Sequence, residues 1–183
     1  MQSETLTRNK ADMPWYALHT RHQHESKVAA ALEFKGITAF LPTYKVSRRW
    51  NDRIKLLAMP LFPGYVFATD IERRRLDILT TPGVASIVSV AGVPAEIPTT
   101  EIETIRRTIQ CRANIEPHEY LKSGETVRVA CGPLAGLEGV LVRKRDNVRL
   151  IVAINLLGRA AAVQIDIANL ERVGQSNDHN LPC

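Results

Sequence analysis

The sequence predicts an α+β fold: an N-terminal antiparallel sheet flanked by helices, followed by a small C-terminal β-barrel. Three observations carry this prediction. Up to about residue 111, short β-branched and aromatic runs alternate with helical stripes. Over 112–122 the periodicity is lost around Pro117, as in an interdomain linker. From Gly124 onward apolar residues alternate with polar ones between closely spaced glycines, with no helical stripe, as in a small barrel. The expected division is a first domain over 14–111, a linker over 112–122 and a second domain over 123–173. The polar segments 1–13 and 174–183 are expected to be disordered tails.

Each element follows from its residues. Trp15-Tyr16-Ala17-Leu18 is bulky and apolar and reads as the first strand. From about His22 to Lys35 the pattern is helical, with Val28, Ala31, Leu32 and Lys35 on one stripe. Gly36 stands where a helix end favours a left-handed residue. Ile37 to Leu41 reads as a strand closed by Pro42, and Lys45 to Leu57 as a hairpin or flexible arm turning at Asn51-Asp52. Tyr65 to Ala68 is a strand, Ile71 to Leu79 a short helix, Thr81-Pro82-Gly83 a turn and Val84 to Val90 a strand. Thr100 and Glu103 form a capping-box pattern for a helix with Ile102, Ile105 and Ile109 on one face. In the second domain, strands are expected around Val127 and Val129, Val140 and Val142, Val148 to Ile154, and Val163 and Ile165. Gly132-Pro133, Gly136, Gly139 and Gly158 fall between these runs and read as turns.

Composition sets bounds on function. The 183 residues are 45% hydrophobic and 23% charged, an ordinary globular balance. The formal charge is +5, and it is uneven: Arg21 to Arg75 holds eleven Lys or Arg against five Asp or Glu. Such a local surplus suits a phosphate backbone, or simply a solvated face. The three cysteines, Cys111, Cys131 and Cys183, form no C-x-x-C pair, which fits a reducing, cytoplasmic setting. No segment approaches the ~20 apolar residues of a membrane span.

The chemistry-bearing motifs favour binding over catalysis. The sequence lacks a Gly-x-x-x-x-Gly-Lys loop, a Gly-x-Ser-x-Gly elbow and a His-Glu-x-x-His pair. His19, His22 and His24 lack the spacing and the companion ligands of a metal site, so neither metal nor cofactor is expected. The stretch Phe62-Pro63-Gly64-Tyr65-Val66-Phe67 is the most informative. Alternation puts Tyr65 and Phe67 on one strand face, where they form either a core wall or a docking surface, with Val66 opposite.

Together these pieces resemble the NusG family of bacterial transcription factors. The resemblance is carried by Trp15-Tyr16, by Phe62 to Phe67, and by Pro82-Gly83-Val84 with Ile87-Val88. It continues through Gly124-Glu125 with Val127-Arg128-Val129, then Gly132-Pro133-Leu134-Ala135-Gly136-Leu137-Glu138-Gly139, and Leu157-Gly158-Arg159-Ala160. It spans about Met13 to Val173 and implies a NusG N-terminal domain linked to a KOW module, an SH3-like barrel.

The resemblance implies a monomeric factor that binds RNA polymerase through its first domain and suppresses pausing and termination. Its KOW module would recruit a small-subunit ribosomal protein or the termination factor Rho. Trp15, Phe62, Tyr65 and Phe67 would line the apolar depression for the polymerase clamp helices, with Tyr65 and Phe62 facing solvent in the free domain. Thr81 and Pro82 would fall near the opposite pincer. Arg21, His22, His24 and Lys27, at the start of the first helix, would contact the non-template DNA strand, with neighbours at i, i+3 and i+4 sharing a face. Leu156 and Leu157 would be the partner-binding loop of the KOW module. The segment His19 to Glu25 and the basic arm look closer to specialised paralogues, and Leu157 stands where housekeeping members often carry an aromatic, which weighs against Rho. The alternatives are a general NusG-type factor acting with Rho, and a ribosome- or RNA-binding KOW protein.

Overall fold

The computed structural model describes residues 13–50, 53–111, 115–119, 124–144, 147–154, 157–165 and 169–173. In chain order the first elements are β1 (Trp15–Thr20), α1 (Glu25–Phe34), β2 (Ala39–Phe40), β3 (Thr43–Trp50), β4 (Arg53–Pro60), β5 (Tyr65–Ala68) and α2 (Ile71–Leu79). Then come β6 (Val84–Ile87), β7 (Ser89–Val90), β8 (Val93–Pro94), β9 (Glu96–Ile97) and α3 (Thr99–Gln110). The last are β10 (Ile115–Glu119), β11 (Glu125–Val129), β12 (Glu138–Lys144), β13 (Asn147–Ile154), β14 (Arg159–Gln164) and β15 (Leu170–Arg172). The chain divides into two units: one comprises the chain up to Leu41 with Pro63–Thr99, the other Pro42–Phe62 with Thr100 onward.

The first unit is organised around β1, which pairs antiparallel with β5, β6 and β9, while β2 pairs with β5. Leu18 lies opposite Val66 and Tyr16 opposite Ala68, so these four share a face. They join Val28 and Leu32 of α1 and Ile71 and Ile78 of α2 in one buried cluster. Burial of each large apolar side chain contributes about 1.5–3 kcal/mol, which fixes both helices on this side of the sheet. The same alternation sends Trp15, Ala17, His19, Tyr65 and Phe67 to the other face. Val66 therefore holds the core, as its strand position implies.

Gly36 ends α1 as the sequence indicates. Its φ is +76, the left-handed region that lacks a steric penalty only for glycine. The turn lets Gly36 N–H reach Glu33 O at 2.8 Å and Ile37 N–H reach Leu32 O at 2.9 Å, which satisfies two terminal carbonyls. The helix itself is shorter than the periodicity suggests, since it begins at Glu25 rather than near His22. The strand expected over Val84 to Val90 is interrupted at Val88, and β7 folds back on β8.

In the second unit β3 and β4 form a two-stranded ribbon of eight-residue strands, in unbroken register from Thr43 opposite Pro60 to Trp50 opposite Arg53. The bond from Leu61 N–H to Pro42 O, 2.8 Å, closes its base. Helix α3 buries Ile102, Ile105 and Thr108, with Ile109 half-buried beside them. The Thr108 hydroxyl donates to Thr104 O at 2.7 Å, which makes it tolerable there. The helix starts at Thr99, which puts Thr100 inside the first turn. Glu103 Oε1 accepts from Arg106 Nη1 at 2.5 Å, one turn further on.

The remaining strands form a six-stranded antiparallel sheet in the order β10-β14-β13-β12-β11-β15. Val127, Val129, Leu150, Ile151 and Ala160 to Val163 are buried along it. Two expectations are corrected. Part of the predicted linker, 115–119, is strand β10, paired with β14. Gly139 is not a turn glycine but lies inside β12, where a Cβ would stand 2.4 Å from Ile151 O. Only glycine permits that approach.

Candidate functional site

The face of the first sheet opposite α1 and α2 is aromatic. Trp15 and Phe40 meet edge-to-face with ring centroids 6.3 Å apart, and Phe40 and Phe67 are also 6.3 Å apart at a tilt of 33°. At the other end of β1, His19 and Tyr65 are cross-strand partners whose rings meet edge-to-face at 5.4 Å. Such pairs favour a fixed ring orientation. Exposure is graded along the face: Phe67 is 0% and Trp15 6% exposed, whereas Phe40 and Tyr65 are half-buried and His19 is exposed.

This grading divides the predicted docking residues. Tyr65 is accessible. Trp15 and Phe67 are buried ring supports. Phe62 corrects the expectation of a solvent-facing ring: it is 1% exposed and lies in the second unit. Phe62 precedes the turn at Pro63-Gly64, so the alternation of β5 does not extend to it. Two further residues of this face, His19 and Phe40, lie outside the docking set that the sequence indicates. Their signal is phase: His19 follows Trp15 and Ala17 at every second position, and Phe40 lies opposite Phe67.

The turn before Tyr65 is held from two sides. Gly64 N–H donates to Glu25 Oε1 at 2.8 Å, and Gly64 O accepts from Thr20 N–H at 2.8 Å. Glu25 is the first residue of α1, 5% exposed, where the helix N-terminus favours a carboxylate. Thus β1, α1 and β5 are tied together beside the His19–Tyr65 pair.

Of the predicted nucleic-acid residues, Arg21, His22 and His24 sit on the β1–α1 connection and Lys27 in the first turn of α1. Arg21 and His22 precede the helix and share no helical face with Lys27, contrary to the expected spacing argument. A tight loop brings Arg21, His22 and His24 together instead: Gln23 has φ +60, and His24 N–H donates to Arg21 O at 3.1 Å. His24 Nδ1 lies 2.9 Å from His22 O. Arg21, His22 and Lys27 are exposed and His24 is half-buried.

The turn at 81–83 abuts this loop. Arg21 N–H donates to Gly83 O at 2.8 Å. A Cβ on Gly83 would lie 2.9 Å from Val28 Cγ2 and 3.0 Å from His24 Cβ. Pro82 is exposed, but Thr81 is 2% exposed and is no contact residue. Thr81 Oγ1 donates to Asp77 O at 2.7 Å and accepts from Lys35 Nζ at 2.8 Å, an internal tie between α1 and the end of α2.

Leu157 is half-buried shortly before β14, and Leu156 lies outside the described residues. Among the described residues no group of three or more His, Cys, Asp or Glu could hold a metal ion. No helix among them is long and apolar enough to cross a membrane. The accessible chemistry is a polar-edged aromatic face beside an exposed cationic loop, an arrangement suited to recognition.

Comparison with known proteins agrees. Residues 13–106 match the family model described as transcription termination factor NusG. The transcription termination/antitermination protein NusG of Campylobacter jejuni is 29% identical, covering 87% of this chain and 97% of that protein. That of Pseudomonas aeruginosa is 28% identical, covering 87% and 98%. The fold is similar to that in a structure of Thermotoga maritima NusG described as showing domain interaction, with a TM-score of 0.53, 23% identity and coverage of 88% and 98%. The chain belongs to the NusG family of transcription termination and antitermination factors.

Proposed function

We propose that this chain is an elongation and antitermination factor that binds RNA polymerase through residues 14–111 and suppresses pausing and termination. The observation that carries the reading is the accessible His19–Tyr65 pair at one end of an aromatic face whose Trp15 and Phe67 are buried. A half-buried tyrosine on a rigid strand provides contact area at little entropic cost, and such residues anchor helix-in-groove binding. The polymerase clamp helices are the proposed occupant.

Arg21, His22, His24 and Lys27 contact the displaced non-template DNA strand, with phosphates held by Arg21 and Lys27. The tight loop of Arg21, His22 and His24, fastened to Gly83, with Lys27 in the helical turn that follows, supports a second, electrostatic contact beside the first. Residues 123–173 are read as the KOW barrel, which recruits a small-subunit ribosomal protein, with Rho as the weaker partner, through Leu156 and Leu157. The antiparallel strands β11 to β15 and the absence of α-helix among the described residues from 115 to 173 support that reading.

The experiment is native-gel comigration with a reconstituted elongation complex, run beside single-round transcription over a strong pause. The reading requires comigration and a shortened pause. Binding to free ribosomes but not to the elongation complex contradicts it.

A further inference from the structure

Helix α1 turns Glu25, Val28 and Leu32 into the protein. Its outer side carries Lys27, Ala30, Ala31 and Phe34, whose helical spacing places them on one stripe. Lys27 and Ala30 are exposed and Ala31 is half-buried. Phe34 closes the helix with 94% of its surface exposed, the most of any large apolar side chain among the described residues.

A ring this exposed is open on both faces, which is the form a stacking platform for bases takes. The two alanines put no bulky side chain between the ring and Lys27, so an extended strand can lie close along the helix. Cations flank the stripe at each end. Lys27 stands about 10 Å from Phe34 along the axis, with exposed Arg21 and His22 before it. At the other end Arg74 Nη2 donates to Lys35 O at 3.2 Å, which brings α2, with exposed Arg73 and Arg75, beside the end of α1. The exposed carboxylate of Glu33 falls about 100° round the axis from Phe34, off the stripe.

We propose that Phe34 is a base-stacking residue for single-stranded DNA, and that Lys27 holds a phosphate of the same strand at the other end of the stripe. The proposal rests on the reading of the β1–α1 loop as a contact to the displaced non-template strand. It extends that contact along α1 by a residue that acts on bases rather than on phosphates. Every base has a flat face, so stacking alone discriminates little between sequences. It does separate a single strand from a duplex, which presents only base edges in its grooves.

The test is fluorescence anisotropy of the full chain with a short labelled single strand of mixed sequence, across a salt series. F34A, at so exposed a position, is expected to melt as the unaltered chain does. It is expected to bind the strand about 5- to 150-fold more weakly, the range for one lost stacked base. Its slope of log affinity against log salt is expected to stay the same, since no charge is removed, and F34W is expected to keep full affinity. On a strand of the same length with tetrahydrofuran in place of every base, F34A and the unaltered chain are expected to bind alike. Undiminished affinity in F34A overturns the proposal, and if R21Q/K27Q still lowers the salt slope, the electrostatic contact stands without it. Equal weakening by F34A on the base-free strand or on duplex DNA also overturns it. So does a loss of affinity for free RNA polymerase with strand affinity intact, which assigns Phe34 to a protein contact. Failure of the unaltered chain to bind the strand overturns both readings.

Discussion

Glu25 accepts a hydrogen bond from the backbone N–H of Gly64 at 2.8 Å, with its carboxylate almost wholly removed from solvent. This single bond joins the first turn of α1 to the turn that introduces Tyr65. Glu25→Ala leaves the Gly64 N–H without this acceptor, and such a loss costs about 1–3 kcal/mol. A urea denaturation series should therefore show a lower midpoint with an unchanged slope. Glu25→Gln, which keeps an acceptor oxygen, should recover part of the loss.

Gly83 and Gly36 both adopt positive φ, at +98 and +76, but their surroundings differ. A methyl at Gly36 meets nothing within 4 Å, whereas at Gly83 it would press on Val28 and His24. Gly36→Ala should cost about 1 kcal/mol from backbone conformation alone. Gly83→Ala adds overpacking, which typically costs about 1–3 kcal/mol more. Thermal melts of the two variants compare these costs, and the Gly83 variant should melt at the lower temperature.

The β1–α1 loop and the first turn of α1 make a prediction independent of the polymerase. Arg21→Gln with Lys27→Gln should reduce the salt slope for single-stranded DNA by about 1.4, since each contact to a single strand contributes about 0.7. Anisotropy with a short single-stranded oligonucleotide measures this slope.

The elements legible in the sequence were those whose periodicity matched their burial. Tyr65–Ala68 and Ile71–Leu79 lie where apolar spacing places them, and Gly36 marks its helix end. Strand β10 was hidden because Ile115-Glu116-Pro117-His118-Glu119 carries a proline and three polar residues. It is tolerated because β10 is an edge strand, where a missing N–H can face outward. In the sequence Gly139 reads as a turn, because a glycine within a strand signals a close approach only once the neighbouring strand is known. At the candidate site, alternation separated Val66 from Tyr65 and Phe67. It could not assign Phe62, which lies across a Pro-Gly turn, nor separate a buried Phe67 from a half-exposed Tyr65 on the same face. That distinction depends on tertiary packing beyond the strand.

The central claim is that Tyr65 serves recognition while Phe67, two residues along the same strand face, serves the fold. The most direct measurement is the affinity of Tyr65→Ala for the RNA polymerase elongation complex, taken beside its unfolding free energy and that of Phe67→Ala. Phe67→Ala should lose about 3–5 kcal/mol of stability. Tyr65→Ala should remain folded with a loss of less than about 1.5 kcal/mol, yet bind the complex about 30-fold more weakly, the equivalent of a hot spot of about 2 kcal/mol. A folded Tyr65→Ala protein that binds the elongation complex with undiminished affinity would contradict the account.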